Sequence, residues 1–371
     1  MASPARASLL ALPRIGPLAL AAALLTVTHR ADAQWTSAQV TAPGVQYATF
    51  QSAAAGTTVS FHVYLPPEYT SDPARRFPVI YWLHGSGSPT AGIPWLSAWF
   101  GGAMAQGKIP PMIVVFPNGM GGSMWCNSKD GTVPMERVVI DDLIPHVDAT
   151  FRTIASRRGR ILEGFSMGGQ GTGRLGLRRP DLFAGISLLG AGPLQLDFMS
   201  APKGTDIPPA QRAALYQMVW GSDPAYYLAQ HPWTIATARA SAHIAQQTLI
   251  RQGVGQLDAM LGPNQDLHLH LAELCIPHQF IQIPGVGHDP ALTLQGLGEA
   301  GWAFYNAALA TPCPEPADLD CSGTVDGLDL GALLSAWGAG SGPADLNGDG
   351  HVDGADLSAL LAAWGPVTSG G

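Results

Sequence analysis

Gly164-Phe165-Ser166-Met167-Gly168 sets a serine between two glycines, just where the apolar pair Ile161-Leu162 closes one segment and a helical segment follows Gly169. A serine on so sharp a strand-to-helix turn is held in a strained backbone conformation with its hydroxyl pushed out of the sheet. A Cβ at either glycine would strike the turn. A hydroxyl is a poor nucleophile at neutral pH and needs a base, normally a histidine oriented by a carboxylate. Among eleven histidines, His288 sits in a loop of small residues, Pro284-Gly285-Val286-Gly287-His288-Asp289, after a strand-like run ending at Ile283. Asp258 ends Gly253-Val254-Gly255-Gln256-Leu257-Asp258, just past the preceding apolar run. Its rival Asp266 falls within a helical segment, and Asp289 reads as a residue that shapes the histidine loop. His268 and His270 lie two apart on a helix and point to opposite sides, so they do not chelate a metal; His146 lies on a helix and His278 begins a strand. The chemistry this predicts is acyl transfer to Ser166, with the tetrahedral oxyanion held by two backbone N–H groups. Met167 supplies one, and Ser86 in the loop His84-Gly85-Ser86-Gly87-Ser88 is the best candidate for the other.

These residues need a scaffold that carries them to one edge. Val45 to Tyr64 holds two β-rich runs around Ala53-Ala54-Ala55-Gly56, an opening antiparallel pair. Phe77 to Leu83 and Met112 to Phe116 are unbroken apolar runs, expected of strands buried on both faces. Met135 to Phe151 has helical spacing, Phe183 to Leu189 reads as a strand, and Leu194 to Gln247 as a helical insertion over the active face. Thr248 to Val254 and His278 to Ile283 are further strands. Asn264 to Leu274 and Pro290 to Leu309 are helices. Alternating strands and helices predict a mostly parallel sheet covered on both faces, with the ligand site at the carboxyl ends of the strands.

Several short pieces share one pattern: Tyr81-Trp82-Leu83-His84-Gly85, Pro117-Asn118-Gly119, Asp142-Leu143-Ile144-Pro145, Gly164-Phe165-Ser166-Met167-Gly168-Gly169, Arg179-Pro180-Asp181-Leu182-Phe183, Asp258 with Asn264, and Gly287-His288. Through them the stretch from Tyr64-Leu65-Pro66-Pro67 to His288 resembles the esterase D-like family of α/β-hydrolases, which includes feruloyl and acetylxylan esterases, S-formylglutathione hydrolases and mycolyltransferases. The resemblance implies an α/β-hydrolase fold with Ser166 as nucleophile, Asp258 as acid and His288 as base, and with Ser86 and Met167 as oxyanion donors. It further implies that Trp125, His84 and the Leu194–Gln247 insertion border the substrate, and that catalysis needs no cofactor.

The tail is built differently. Residues 317–339 and 344–366 repeat each other, Ala-Asp-Leu-Asp-Cys-Ser-Gly-Thr-Val-Asp-Gly-Leu-Asp-Leu against Ala-Asp-Leu-Asn-Gly-Asp-Gly-His-Val-Asp-Gly-Ala-Asp-Leu, and each runs into an apolar helical stretch ending Ala-Trp-Gly. Oxygen donors at loop positions 1, 3, 5, 7, 9 and 12 with glycine at 6 are what a calcium loop requires. The first loop offers Asp318, Asp320, Ser322, the Thr324 carbonyl, Asp326 and Asp329; the second offers Asp345, Asn347, Asp349, the His351 carbonyl, Asp353 and Asp356. Aspartate at position 12 and one helix per loop resemble a dockerin, the calcium-dependent module that docks onto cohesin domains. Dockerins usually place Ser or Thr at positions 10 and 11, where this chain has Gly327-Leu328 and Gly354-Ala355. The resemblance implies two structural Ca²⁺ ions and a cohesin-like scaffold partner.

From Cys313 onward the chain carries nine acidic residues and no Lys or Arg, so the net charge of −8 belongs to the tail and the rest is close to neutral. Neither part has the basic face nucleic acid demands. Arg6 and Arg14, the apolar run Ile15 to Val27 and Ala31-Asp32-Ala33 read as a signal peptide cleaved before Gln34, with an uncleaved anchor as the alternative. Export fits cysteines free to pair: Cys313 and Cys321 are close enough in sequence, and the connectivity with Cys126 and Cys275 stays open. The expected organisation is a signal peptide (1–33), an esterase domain (34–310), a short linker (311–316) and a double calcium-loop module (317–367). The activity expected is that of a secreted or cell-surface serine esterase removing feruloyl or acetyl groups from polysaccharides, with no membrane contact after cleavage. A mycolyltransferase-like acyltransferase and a catalytically silent binding protein are the alternatives.

Overall fold

The computed structural model describes residues 35–200, 208–310, 315–319, 324–338 and 343–367. The expected signal peptide, the Cys313–Cys321 pair, most of the expected linker, Asp320 and Ser322 lie outside the described residues.

Eight strands form one sheet: β1 (Val45–Ser52), β2 (Thr57–Tyr64), β3 (Val79–Leu83), β4 (Ile113–Pro117), β5 (Arg160–Phe165), β6 (Gly185–Leu189), β7 (Leu249–Gly255) and β8 (Gln279–Ile283). Their spatial order is β1-β2-β4-β3-β5-β6-β7-β8. The first two form a hairpin that adds antiparallel to β4, and every later pairing is parallel. The apolar runs explain the centre: β3, β4, β5 and β6 are buried at every position, as strands covered on both faces must be.

The helices divide between the faces. Leaving aside the single turn Glu68–Ser71, in chain order they are α1 (Ile93–Ala105), α2, α3 (Met167–Arg178), α4 (Pro209–Trp220), α5 (Pro224–Ala229), α6 (Pro232–Ala245), α7 (Leu261–Glu273), α8 (Pro290–Gly296) and α9 (Gly298–Ala310). Of these, α2 runs through Met135–Arg137, Val138–Leu143 and Ile144–Thr150, its middle widened to the π form. One apolar layer joins Val139, Val147, Leu162, Leu175 and Leu267 on the α2, α3 and α7 side. The other joins Ile80, Phe100, Ile161, Leu294, Trp302 and Phe304 on the α1, α8 and α9 side. The single closing helix expected from Pro290 is in fact two, because the chain turns left-handed at Gly298 (φ +54°).

The expected insertion supplies α4 to α6. Its last helix lies on α3, where a Cβ at Gly173 would lie 2.8 Å from Leu188 Cδ2 and 3.3 Å from Pro232 Cγ, while Met218 and Leu215 of α4 reach Gly122. Among the described residues no helix is long and apolar enough to cross a membrane. In the tail, α10 (Gly327–Ser335) and α11 (Gly354–Ala362) are joined by the two-residue strands β9 (Thr324–Val325) and β10 (Gly365–Pro366). The repeat is visible in its core: Val325 and Leu333 of one half meet Val352 and Leu360 of the other.

Candidate active site

Ser166 stands between β5 and α3 with φ +60° and ψ −119°, a conformation an L-residue holds only when its surroundings impose it. The imposition comes from packing. A Cβ at Gly168 would lie 1.8 Å from the Leu83 carbonyl oxygen, and one at Gly164 would lie 2.4 Å from the Gly168 carbonyl oxygen. The turn is tied down by hydrogen bonds from Ser166 N–H to Leu189 O (2.9 Å) and from Gly192 N–H to Ser166 O (3.1 Å).

Two loops at the same edge complete a relay. Beyond β7, Asp258 has a fully buried side chain, and its Oδ1 accepts the Met260 N–H at 2.8 Å. Beyond β8, His288 places Nδ1 2.8 Å from Asp258 Oδ2 and Nε2 2.8 Å from Ser166 Oγ. An ionised carboxylate only accepts, so Nδ1 carries the proton and Nε2 is left to accept from the serine. The imidazole remains 39 % exposed and leans on the Phe165 ring with centroids 4.7 Å apart. This arrangement can remove the Ser166 proton as the hydroxyl attacks and return it to a leaving group. Asp266 lies inside α7, and Asp289 caps α8 by accepting the Leu292 N–H.

The loop after β3 runs alongside the nucleophile. Gly85 passes so close to the nucleophile that a Cβ there would sit 3.3 Å from Ser166 Cβ. Ser86 is exposed beside it, and Met167 begins α3, whose free N–H groups and positive dipole end face the same space.

His84 and Trp125, expected to border the substrate, do something else. Trp125 is wholly buried and His84 is 5 % exposed, so neither presents a face to a ligand. His84 Nδ1–H donates to Gly85 O (2.7 Å), its Nε2 accepts the Gly119 N–H (3.0 Å), and Trp125 Nε1–H donates to His84 O (3.1 Å). Both side chains turn inward because the loop's backbone groups are buried and need partners. Burial holds His84 neutral, its pKa pushed down to about 4, with the Gly85 carbonyl opposing that shift. The loop is clamped a second time where Gly87 N–H reaches Gly121 O.

The clamp is itself under strain. Met120, Met124 and Trp125 all have φ between +52° and +55°. Arg174, on the nucleophile helix, holds Trp125 O at 2.8 Å and also bonds Glu136 and Gln230. Sequence reasoning missed this brace. Its available signal was Pro117-Asn118-Gly119, a turn at a strand end with no other assigned task.

In the tail, all described donors are hard oxygens, and Gly350 takes the sharp turn of position 6 at φ +89°. That chemistry fits a calcium ion. Asp326 and Asp353 cap α10 and α11, while Asp329 and Asp356 return the capping box. Asp356 Oδ1 accepts the Leu346 and Asn347 N–H groups, and Asp345 accepts those of Asp349 and Gly350. Among the described residues no three His, Cys, Asp or Glu side chains gather as a metal site. Cys126 and Cys275 form no disulfide among the described residues.

Comparison with known proteins places the chain among esterases. The family model described as "Putative esterase" matches residues 52–281. A protein of Xylanibacter ruminicola named endo-1,4-beta-xylanase/feruloyl esterase is 35% identical over 169 residues, 43% of this chain and 23% of that protein. An esterase of Mycobacterium tuberculosis is 34% identical over 167 residues, 42% of this chain and 34% of its own length. The chain thus spans between about a quarter and a third of the curated relatives it matches. Among solved structures, a ferulic acid esterase superposes with a TM-score of 0.57 at 21% identity, covering 71% of this chain and 97% of the other, a likeness of fold.

Proposed function

The chain belongs to the esterase family, and from that premise we propose that it is an exported serine hydrolase that cleaves carboxylic esters through an acyl-enzyme on Ser166. The single observation that carries the hydrolase reading is the unbroken series Ser166 Oγ, His288 Nε2, His288 Nδ1, Asp258 Oδ2, both of its hydrogen bonds 2.8 Å. In the reaction His288 takes the serine proton as Oγ attacks the ester carbonyl. Asp258 stabilises the imidazolium, and the alcohol leaves with that proton. Water then repeats the sequence to release the acid. The N–H groups of Met167 and Ser86 receive the oxyanion, each donor contributing about 3 kcal/mol to lowering the barrier.

The acyl groups we assign are feruloyl or acetyl esters on polysaccharides. The name of the Xylanibacter relative supports this, as does the duplicated acidic tail. The tail would hold two calcium ions and tether the enzyme to a cohesin-like scaffold, and residues 1–33 would direct export. The test is hydrolysis of a p-nitrophenyl acyl chain-length series, methyl ferulate and acetylated xylan by wild type and Ser166→Ala. Activity on the feruloyl or acetyl substrates that disappears in the variant supports the reading. Activity retained by the variant removes Ser166 from the mechanism. For the tail, calcium titration of the full chain followed by calorimetry should show saturable uptake that Asp345→Ala reduces; no uptake rejects the calcium assignment.

A further inference from the structure

On the flank of the sheet opposite α3, a cavity of about 340 Å³ opens between α1 and the α8–α9 pair. Trp99 and Trp302 line it, and Gln106, Lys108, Gln295 and Glu299 surround them. The rings belong to a series. Trp95 and Trp99 stack with centroids 5.4 Å apart and planes 18° apart, and Trp99 and Trp302 follow at 5.0 Å and 32°. The fold does not use the Trp99 indole nitrogen, which has no hydrogen-bond partner among the described residues, so ring area is what this tryptophan supplies.

We propose that this cavity is a saccharide-binding site, separate from the catalytic centre, that holds the sugar backbone whose esters Ser166 cleaves. A pyranose has an apolar C–H face and a rim of hydroxyls. The part of the Trp99 ring that its stacking partners leave exposed matches the first, through dispersion and weak C–H contacts, with the buried Trp302 ring as its backing. The exposed amides of Gln106 and Gln295 and the Lys108–Glu299 pair, 3.4 Å apart, match the second. An anion such as phosphate is poorly served, because the one lysine is already paired and leans over Trp302. Position also favours this ligand. The chain enters α1 from the Ser86 loop and enters α8 two residues after His288, so both walls of the cavity descend from the catalytic edge. Trp95, half-buried in the first turn of α1, links the two places.

The proposal deepens the polysaccharide part of the preceding reading and rests on it for the choice of sugars. The experiment titrates the full chain with xylohexaose, cellohexaose and mannohexaose, following tryptophan fluorescence and calorimetry. Saturable binding of at least one hexaose is expected, weakened at least tenfold in Trp99→Ala and in Gln106→Ala/Gln295→Ala, with p-nitrophenyl acetate turnover unchanged in both. Should Trp99→Ala fail to fold, the double variant, altered only at exposed positions, decides. No saturable binding of any hexaose, or binding unaltered by the variants, overturns the site. Capture of a proline-rich decapeptide in place of a hexaose also overturns it. Hexaose binding without turnover of p-nitrophenyl acetate would remove the esterase reading and leave the saccharide site without its catalytic role; turnover without binding would remove the site and leave the esterase reading standing.

Discussion

Glu163 and Ser166 lie three residues apart, and each anchors a network of hydrogen bonds to residues from later strands and loops. Glu163 is completely buried. Its Oε1 meets Arg251 Nη2 at 2.7 Å and accepts the Ser187 hydroxyl at 2.8 Å, while its Oε2 accepts the Tyr305 hydroxyl at 2.7 Å. Arg251 spends its remaining donors on Ser187 Oγ and Gly301 O and lies 4.1 Å over the Phe304 ring. Every charge there is matched inside the core, and burial beside Glu163 drives the Tyr305 hydroxyl far above its ordinary pKa. The Ser166 network has the same ingredients, a buried carboxylate, a base and a hydroxyl. It ends, however, at a half-exposed imidazole on the rim of the sheet. The difference teaches what separates framework from chemistry. A carboxylate paired with an always-charged guanidinium in a closed core has no proton to exchange, whereas one paired with histidine at an open edge does.

The comparison breaks most sharply at Ser166. Ser166→Ala should lower kcat on p-nitrophenyl acetate by about 10⁶-fold with an unchanged melting temperature. Asp258→Asn, which leaves the histidine in the wrong tautomer, should cost about 10⁴-fold. A large fall in melting temperature in either would mean that the rim network is framework too.

Glu163→Gln and Arg251→Met should do the opposite. Each strands a buried partner and should destabilise the fold by about 3–5 kcal/mol, seen in chemical denaturation. The pH profile of the remaining folded enzyme should stay as in the wild type, and a displaced profile would show that the core network tunes the rim.

His84 sharpens the contrast, as a histidine treated like the buried network. Its folded pKa of about 4 lies below the ordinary 6.5, so the folded state resists its protonation. The associated stability is therefore complete above pH 6.5 and falls as the pH drops toward 4, by about 3 kcal/mol. His231, also lowered to about 4 by burial, adds to the same slope. Thermal denaturation between pH 7 and 4 should show the loss, and His84→Gln should flatten its share of it. An unchanged slope would separate His84 from acid unfolding.

Local spacing carried a large part of this molecule. Gly164-Phe165-Ser166-Met167-Gly168 specifies its turn because the steric demand falls within five residues. The strand-end loops holding Asp258 and His288 were legible because apolar runs stop abruptly before small residues. The tail repeat was legible because its two halves match residue by residue along the chain. The inward turn of His84 and Trp125, the Glu163–Arg251 pair 88 residues apart and the tryptophan series from α1 to α9 were not. Each of these depends on which backbone groups become buried and which distant side chain arrives to satisfy or cover them. The sequence by itself determined the turn, the order of the reacting groups and the duplication of the tail, since these follow from sterics, hydrogen bonding among neighbours and direct repetition. Only the tertiary structure decided which histidine faces solvent and which braces the core, because burial is a property of packed layers.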